Sequence, residues 1–169
     1  MHYPADTVYT RIPTDQGTVW LAATAQGLAG LWFDGQKHFP PALLGSTAWT
    51  PAPQHPTLLQ AAAQLHQYLQ GQRRRFDLPL DLSVGTAFQQ AVWRALLALP
   101  CGHTTSYGAL SQSIDRPSAV RAVAAAVGRN PLSVVVPCHR VLGVDGSLTG
   151  YAGGLPRKAA LLALEARLA

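Results

Sequence analysis

The sequence predicts a chain of two parts, in which a small α/β domain precedes an α-rich domain that contains a helix-turn-helix. The first third holds short runs rich in Val, Leu, Trp and Phe, which are typical of strands. The second half holds apolar residues at helical spacing, with two consecutive helices joined by a short turn. With 169 residues, 48% hydrophobic and 12% charged, the chain has the composition of a globular protein with a substantial core.

Residues 1–84 are assigned to the α/β domain, where four elements and one loop are expected. In chain order they are a strand over 18–24, a strand over 28–33, a proline-rich loop around 40–56, a helix over 57–70 and a strand over 73–82. The boundary is placed after residue 84, because Ser83-Val84-Gly85 leads into a new helical pattern.

Residues 85–169 are assigned to the α-rich domain. Thr86 is a plausible N-cap for its first helix, and Ser106 can cap a short helix that ends at Ile114. After a turn at 115–117, Ser118 is expected to start a helix that runs to Gly128. This is the outline of a helix-turn-helix, although in an α-rich chain the same outline also arises from packing alone.

The second of those helices is unusual because one face is almost entirely alanine and Arg121 is its only long side chain. Alanine is the best helix former, so simple helix stability is one interpretation. The other is that small side chains let the helix approach a nucleic-acid backbone closely while Arg121 reaches between bases.

The charge is divided unevenly along the chain. Residues 1–81 hold five basic and five acidic groups, whereas residues 82–169 hold eight basic and three acidic groups, which is the whole formal charge of +5. The excess indicates an anionic partner for the second half.

Targeting and metal-binding patterns are not found. No apolar run approaches the roughly 18 residues of a membrane span, and the first ten residues do not resemble a signal peptide, so we expect a cytoplasmic protein. Cys101 and Cys138 lack a CxxC partner and the histidines show no zinc spacing, so free thiols are expected and no metal or cofactor.

Cys138 lies in the segment Pro137-Cys138-His139-Arg140. A buried structural thiol is one interpretation, since free cysteine is among the most buried residue types. The neighbours favour a reactive thiol instead, because the proline restricts the backbone, the histidine can accept a proton and the arginine adds positive charge. Adjacent residues of an extended segment point in opposite directions, so a turn or a bridging water would be needed between the thiol and the imidazole.

A set of motifs in the second half resembles the O6-alkylguanine-DNA alkyltransferases, the methylated-DNA–protein-cysteine methyltransferases. The resemblance covers about half the chain, from Gly85 to Glu165, in the order and spacing of that family. The motifs are Gly85 to Trp93, Leu99 to Gly102, Thr105 to Gly108, Arg121 to Val123, Gly128 to Pro131, Pro137 to Val141, Gly150 to Leu155 and Lys158 to Glu165. Residues 1–84 match only loosely.

The resemblance implies roles for five residues in the chemistry. Cys138 would accept the alkyl group, His139 would act as general base through water, and Glu165, the chain's sole glutamate, would orient that histidine. Asn130 would hold the active-site turn together. Tyr107 would donate a hydrogen bond to N3 of an extruded guanine.

The resemblance also implies a DNA surface and a base pocket. Arg121 would enter the duplex and fill the space of the flipped base. The other residues expected to contact DNA are Ser106, Ala122, Ala125 and Arg129. Those expected at the pocket are Val141, Tyr151, Ala152, Gly153 and Lys158.

Several further expectations follow from the same resemblance. The N-terminal domain would be ribonuclease-H-like, and the helix-turn-helix would bind the minor groove of double-stranded DNA that contains O6-alkylguanine. The protein would act as a monomer, without a cofactor, and once per molecule. Ala87 and Ala152 differ from residues common in the family. The second puts the range of bulky adducts in doubt, because a hydroxyl is lost there.

Two other functions compete with alkyl transfer. One is a sensor that flips alkylated guanine without accepting the group, although such relatives replace the nucleophile and this chain keeps Cys138. The other is a Cys-His hydrolase, which would need an oxyanion hole that no motif here identifies.

Overall fold

The computed structural model describes residues 1–44 and 49–168. Their strands are β1 (Val8–Ile12), β2 (Val19–Thr24), β3 (Gly27–Phe33), β4 (Thr50–Pro51), β5 (Thr105–Ser106) and β6 (Val141–Leu142). Their α-helices are α1 (Pro56–Leu69), α2 (Ala87–Leu97), α3 (Tyr107–Ser113), α4 (Val120–Gly128) and α5 (Leu155–Ala166). Short 3-10 helices occupy Pro41–Leu43 and Cys138–Arg140. The predicted class, an α/β part followed by an α-rich part, is confirmed.

The N-terminal sheet has the strand order β3-β2-β1-β4. β1, β2 and β3 are antiparallel neighbours, and β4 pairs with β1 in parallel. The strands predicted over 18–24 and 28–33 are therefore confirmed as β2 and β3, and the predicted helix over 57–70 is α1. The proline-rich passage contains β4 as well as loop, and residues 45–48 of it lie outside the described part of the chain.

The strand predicted over 73–82 is wrong, because only one bridge forms, between Leu80 and Leu28. The backbone of Asp77 is bound by a helix side chain instead of a strand, since Gln64 of α1 accepts from its N–H and donates to its carbonyl, both at 2.8 Å. Pro79 has no N–H to give to a ladder. Gly27 lets this segment approach, because a Cβ there would lie 2.4 Å from the Pro79 carbonyl oxygen.

The helices of the second half begin largely where their caps predicted. Thr86 forms a reciprocal capping box with Gln89 at the start of α2, and the Ser106 hydroxyl accepts from the Ala109 N–H at the start of α3. The expectation that Ser118 starts the next helix is wrong. α4 begins at Val120 and its N-cap residue, Ala119, has no side-chain hydrogen bond, because residues 115–119 form a longer turn.

One edge of the N-terminal sheet carries the segment that leads to Cys138. All seven residues of β3 are buried, and Leu31 exchanges backbone hydrogen bonds with Pro131 and Ser133 at 2.8 and 3.0 Å. A single hydrophobic cluster includes buried side chains from both halves, such as Leu31, Leu65, Trp93 and Leu161. The two parts therefore share one core, and β3 positions the segment that leads to Cys138.

Within residues 1–44 and 49–168, none of the helices has the length and apolar character that crossing a membrane requires.

Candidate active site

Asn130 organises the segment that precedes Cys138. Its side-chain amide donates to the carbonyls of Leu132 and Val136 at 3.3 and 2.8 Å, and its side-chain oxygen accepts from the Leu132 N–H at 2.9 Å. The same amide lies 3.1 Å from the sulfur of Cys138. Val134 has a φ of +72°, which is unfavourable for a β-branched residue, so these bonds hold the loop in a conformation it would not adopt alone.

Cys138 is the first residue of the 3-10 turn Cys138–Arg140, and only 6% of its surface is exposed. Burial raises the pKa of the thiol to about 11, although the Asn130 hydrogen bond and the charge of Lys158 act in the opposite direction. Almost all of the thiol is therefore protonated at pH 7. A base must remove its proton before the sulfur can act as a nucleophile.

His139 is fully buried and directed at Glu165, with 2.9 Å between Nε2 and Oε1. Because a carboxylate only accepts hydrogen bonds, we assign the imidazole proton to Nε2, which leaves the lone pair on Nδ1. Nδ1 is buried and has no hydrogen-bond partner within the described residues. Burial lowers the pKa of His139, although Glu165 opposes that shift, so the ring is neutral at pH 7 and able to accept a proton.

Glu165 is the centre of a wider buried network. Besides His139, its carboxylate accepts from the Arg140 guanidinium at 2.7 Å, the Tyr68 hydroxyl at 2.5 Å and the Gly102 N–H at 3.1 Å. Burial alone would raise its pKa, but the hydrogen bonds from His139, Arg140 and Tyr68 outweigh burial and keep the pKa well below the ordinary value. Glu165 is therefore ionised at neutral pH.

The expectation that Arg140 adds positive charge at the Cys138 thiol is wrong, because its guanidinium faces Glu165 and the Leu99 carbonyl. Lys158 is the cation that influences the sulfur. It is fully buried, and its ammonium donates to the carbonyls of Val141 and Thr149 at 2.5 and 2.8 Å. Lys158 thus ties β6 to the loop that precedes Tyr151.

A cavity of about 380 Å³ lies beside this centre, within the range of small-molecule sites. Its lining comes from both halves of the chain and consists of Lys37, His38, Tyr107, Ala124, Ala125, Gly128, Arg129, Gly150, Tyr151 and Ala152. Burial raises the pKa of the Tyr151 phenol, and charge on Cys138 raises it further, which makes the cavity wall a neighbour of the thiol.

The predicted pocket residues occupy two layers around that cavity. Tyr151 and Ala152 line it, whereas Val141, Gly153 and Lys158 are buried and absent from its lining. The Tyr107 hydroxyl accepts from Thr149 at 3.3 Å, so its own proton is free to donate elsewhere.

Four of the five predicted DNA-contacting residues are exposed on α4 or directly after it. On α4, Arg121, Ala122 and Ala125 are exposed, while Val123, Ala126 and Val127 are buried, so the alanine face is an outer face. Arg129 is exposed at the end of the helix and reaches the cavity rim. Ser106 is half-buried, and its hydroxyl serves as the cap of α3.

Sequence reasoning missed three residues of the site. Tyr68 read as an apolar position of an amphipathic helix, and only its burial beside Glu165 gives its hydroxyl a role. Lys37 and His38 lie in a loop of the neutral N-terminal half, and no local pattern placed them beside Arg129. A signal for such residues would require knowledge of which segments pack together.

Comparison with known proteins gives one consistent result. Residues 87–167 match the family described as "6-O-methylguanine DNA methyltransferase, DNA binding domain", and residues 7–82 match "6-O-methylguanine DNA methyltransferase, ribonuclease-like domain". A methylated-DNA–protein-cysteine methyltransferase of Mycobacterium tuberculosis is 45% identical over 157 residues, which are 93% of this chain and 91% of the relative. An inducible one of Bacillus subtilis is 42% identical, over 91% of this chain and 82% of the relative.

Solved structures agree with that result. The M. tuberculosis protein called OGT, crystallised in complex with DNA, superposes with a TM-score of 0.84 at 44% identity and covers 96% of this chain and 94% of its own. An O6-methylguanine-DNA methyltransferase of Pyrococcus kodakaraensis shares the fold, with a TM-score of 0.63 at 22% identity over 94% of this chain and 98% of its own.

The buried position of Glu165 predicts a large effect of Glu165→Gln on stability. The variant leaves the buried Arg140 guanidinium without a counter-charge, and breaking a buried ion pair in this way costs about 3–5 kcal/mol. We expect that loss in the free energy of unfolding, measured by chemical denaturation at pH 7. The exposed Asp115→Asn should change it by less than about 0.5 kcal/mol.

The same two variants should also differ in how their free energy of unfolding depends on pH. Because the folded-state pKa of Glu165 lies below its unfolded value of about 4.3, its contribution is complete above that pH and is lost as the pH falls further. Wild type and Asp115→Asn should therefore lose more stability between about pH 5 and pH 3 than Glu165→Gln. Parallel pH profiles for all three proteins would contradict this assignment.

Proposed function

This chain belongs to the 6-O-methylguanine DNA methyltransferase family, whose members move a methyl group from DNA to a protein cysteine, and we propose that Cys138 is the acceptor. The protein repairs DNA by direct reversal, with DNA as its partner. The observation that carries the assignment to Cys138 is its position beside the buried His139–Glu165 pair, under the Asn130 amide. Cys101 is less buried, and the charges that act on its thiol are those of Glu165, Arg140 and Arg74.

The proposed reaction forms one bond and breaks another at the same carbon. The Cys138 thiolate attacks the alkyl carbon in line with the O6–C bond, whose electron pair passes to the guanine. The product is a thioether, which no side chain of the site can reverse, so each molecule reacts once. The Asn130 amide, at 3.1 Å from the sulfur, stabilises the thiolate before attack.

We propose that His139 removes the thiol proton through one water molecule. Its Nδ1 makes no direct hydrogen bond to the sulfur within the described residues, so a relay is required. Glu165 is ionised and lies 2.9 Å from Nε2, and it stabilises the imidazolium that forms. Tyr68 and Arg140 donate to the same carboxylate oxygen as the imidazole, hold that carboxylate in place and act as positioning residues.

The cavity is the proposed site of the extruded guanine. Tyr107, whose hydroxyl already accepts from Thr149, would donate to N3 and stabilise the charge that develops on the leaving base. The Ala152 N–H makes no hydrogen bond among the described residues and would face O6. The carbonyls of Cys138 and Val141 would accept from the guanine amino group, with the second also held by Lys158.

Extrusion of the base is a geometric requirement. O6 lies within the duplex, and a thiol that is 6% exposed cannot reach the alkyl carbon unless the nucleotide leaves the stack. The exposed alanine face of α4, with Ala122 and Ala125, would approach the minor groove. Arg121, exposed on that face, would fill the space of the flipped base and offset part of the unstacking cost.

The two halves of the chain would have different roles in the reaction. Residues 1–84 would scaffold the site through β3, and residues 85–169 would carry the DNA surface and the chemistry. One monomer would act on one lesion, because each molecule carries one Cys138. A cytoplasmic location suits a protein that acts on DNA and depends on a reduced cysteine.

The first prediction concerns stoichiometry. Incubation with O6-methylguanine DNA should add 14 Da, about the mass of one CH₂ unit, to each molecule, since methyl replaces one thiol hydrogen at Cys138. Intact mass and peptide mapping would measure it. Cys101→Ser should react like wild type and Cys138→Ser should not. Methylation of Cys101, or repeated turnover, would contradict the mechanism, and binding without any transfer would favour a sensor.

The second prediction concerns proton removal. His139→Gln should slow single-turnover transfer by up to about 10²–10⁴-fold at pH 7, because general-base assistance is of that size. Since the thiol pKa is about 11, the deficit should persist to pH 9 and shrink only as the pH rises further. Rates would be measured between pH 6 and pH 10 on protein with a native circular dichroism spectrum. A variant that matches wild type throughout would remove His139 from the reaction.

The third prediction concerns Arg121. Arg121→Ala should slow repair of duplex DNA by about tenfold or more, because unstacking costs a few kcal/mol and the compensation is lost. Transfer from free O6-benzylguanine, which needs no flipping, should be unchanged. Equal losses with both substrates would assign Arg121 a structural role, and no loss with either would exclude it from base extrusion.

A further inference from the structure

The loop that follows β3 forms one side of the cavity although it belongs to the N-terminal half. Lys37 and His38 line the cavity together with Arg129, Tyr107 and Ala125 from the other half. The charge distribution along the sequence pointed only to residues 82–169 as a surface for an anionic partner. The fold adds a cation from the neutral half to that surface.

Two hydrogen bonds attach this loop to the second half of the chain, and a third attaches it to the end of β3. The Lys37 N–H donates to the Ala152 carbonyl at 3.0 Å, on the cavity wall. The preceding Gln36 is buried, and its side-chain oxygen accepts from the Phe33 N–H at 2.9 Å and the Ser133 hydroxyl at 3.2 Å. His38 has a φ of +61°, a conformation that histidine tolerates better than most residues. The loop is thus held at a defined position on the cavity rim.

The cavity rim carries two positive charges that no carboxylate of the described residues neutralises. Lys37 and Arg129 are exposed, and none of the described residues that line the cavity is acidic. Both salt bridges found among residues 1–44 and 49–168 involve Glu165, so no carboxylate there neutralises either cation. Burial lowers the pKa of His38, and the charges of Arg129 and Lys37 lower it further, which places the three groups in one electrostatic neighbourhood.

We propose that Lys37 and Arg129 together bind a backbone phosphate next to the extruded nucleotide, so that the N-terminal half contributes directly to DNA binding. This rests on the proposed function of the cavity. A base that enters the cavity brings its flanking phosphates to the rim. These phosphodiesters are therefore the anions that would lie next to Lys37 and Arg129. Such contacts position the DNA and carry no sequence information.

The experiment measures binding of lesion-containing duplex DNA as a function of salt. A Cys138→Ser background prevents transfer during the measurement. Lys37→Gln in that background should weaken binding and reduce the slope of log K against log salt by up to about 0.9, the value for one lost phosphate contact on duplex DNA, because Arg129 still faces the same phosphate. Arg75→Gln, which removes an equal charge from an exposed position away from the cavity, should leave the slope unchanged.

A second arm identifies the phosphate. Methylphosphonate, which is uncharged, would replace in turn the phosphate 5′ and 3′ of O6-methylguanine. At the contacted position, the methylphosphonate should weaken DNA binding by the protein that keeps Lys37. With that DNA, Lys37→Gln should cause no further loss of affinity. An unchanged salt slope in Lys37→Gln, or additive losses at both positions, would overturn the proposal.

The third arm separates this proposal from the function on which it rests. In a chain with Cys138 intact, Lys37→Gln should slow transfer from lesion-containing duplex DNA at sub-saturating concentration more than transfer from free O6-benzylguanine, because only the duplex has a phosphate. An equal loss with both substrates would show that Lys37 acts through the base pocket, which contradicts the phosphate contact. Absence of transfer to Cys138 in wild type would instead refute the proposed function itself.

Discussion

The carboxylate of Glu165 accepts hydrogen bonds from Tyr68 of α1, Gly102 between α2 and β5, and His139 and Arg140 of the 3-10 turn. A buried charge is costly unless it is paired and hydrogen-bonded, so these four donors must converge for the fold to tolerate it. The convergence fixes α5, α1 and the reactive turn relative to one another. The orientation of the imidazole is therefore a consequence of stability as well as of chemistry.

Asn130 imposes a second constraint on the same turn. Its amide satisfies carbonyls of the loop that β3 holds at the sheet edge, and the same nitrogen lies 3.1 Å from the sulfur. The loop needs that support because Val134 adopts a left-handed conformation. Removal of the amide would release both the backbone conformation and the stabilisation of the thiolate.

Two opposing demands act on Cys138. Burial protects the thiol from other reactants but raises its pKa to about 11, which suppresses the nucleophilic thiolate. Three groups of the site favour loss of the thiol proton. They are the neutral His139, whose pKa is lowered, the ionised Glu165 and the buried cation of Lys158. The thiol is nevertheless protonated at pH 7, with a neutral imidazole and an ionised carboxylate in the same buried site.

The sequence alone determined the starts of α2 and α3 and the β2–β3 hairpin, because caps and periodicity act over a few residues, and it singled out the Pro137–Arg140 block as the candidate site. The strand expected over 73–82 failed because Gln64, distant in sequence, takes the hydrogen bonds of Asp77. The pairing of Arg140 with Glu165, the role of Tyr68 and the position of Lys37 beside Arg129 were decided only by tertiary structure. Hydrogen bonds and charges act through space, and local patterns do not record which distant segments become neighbours.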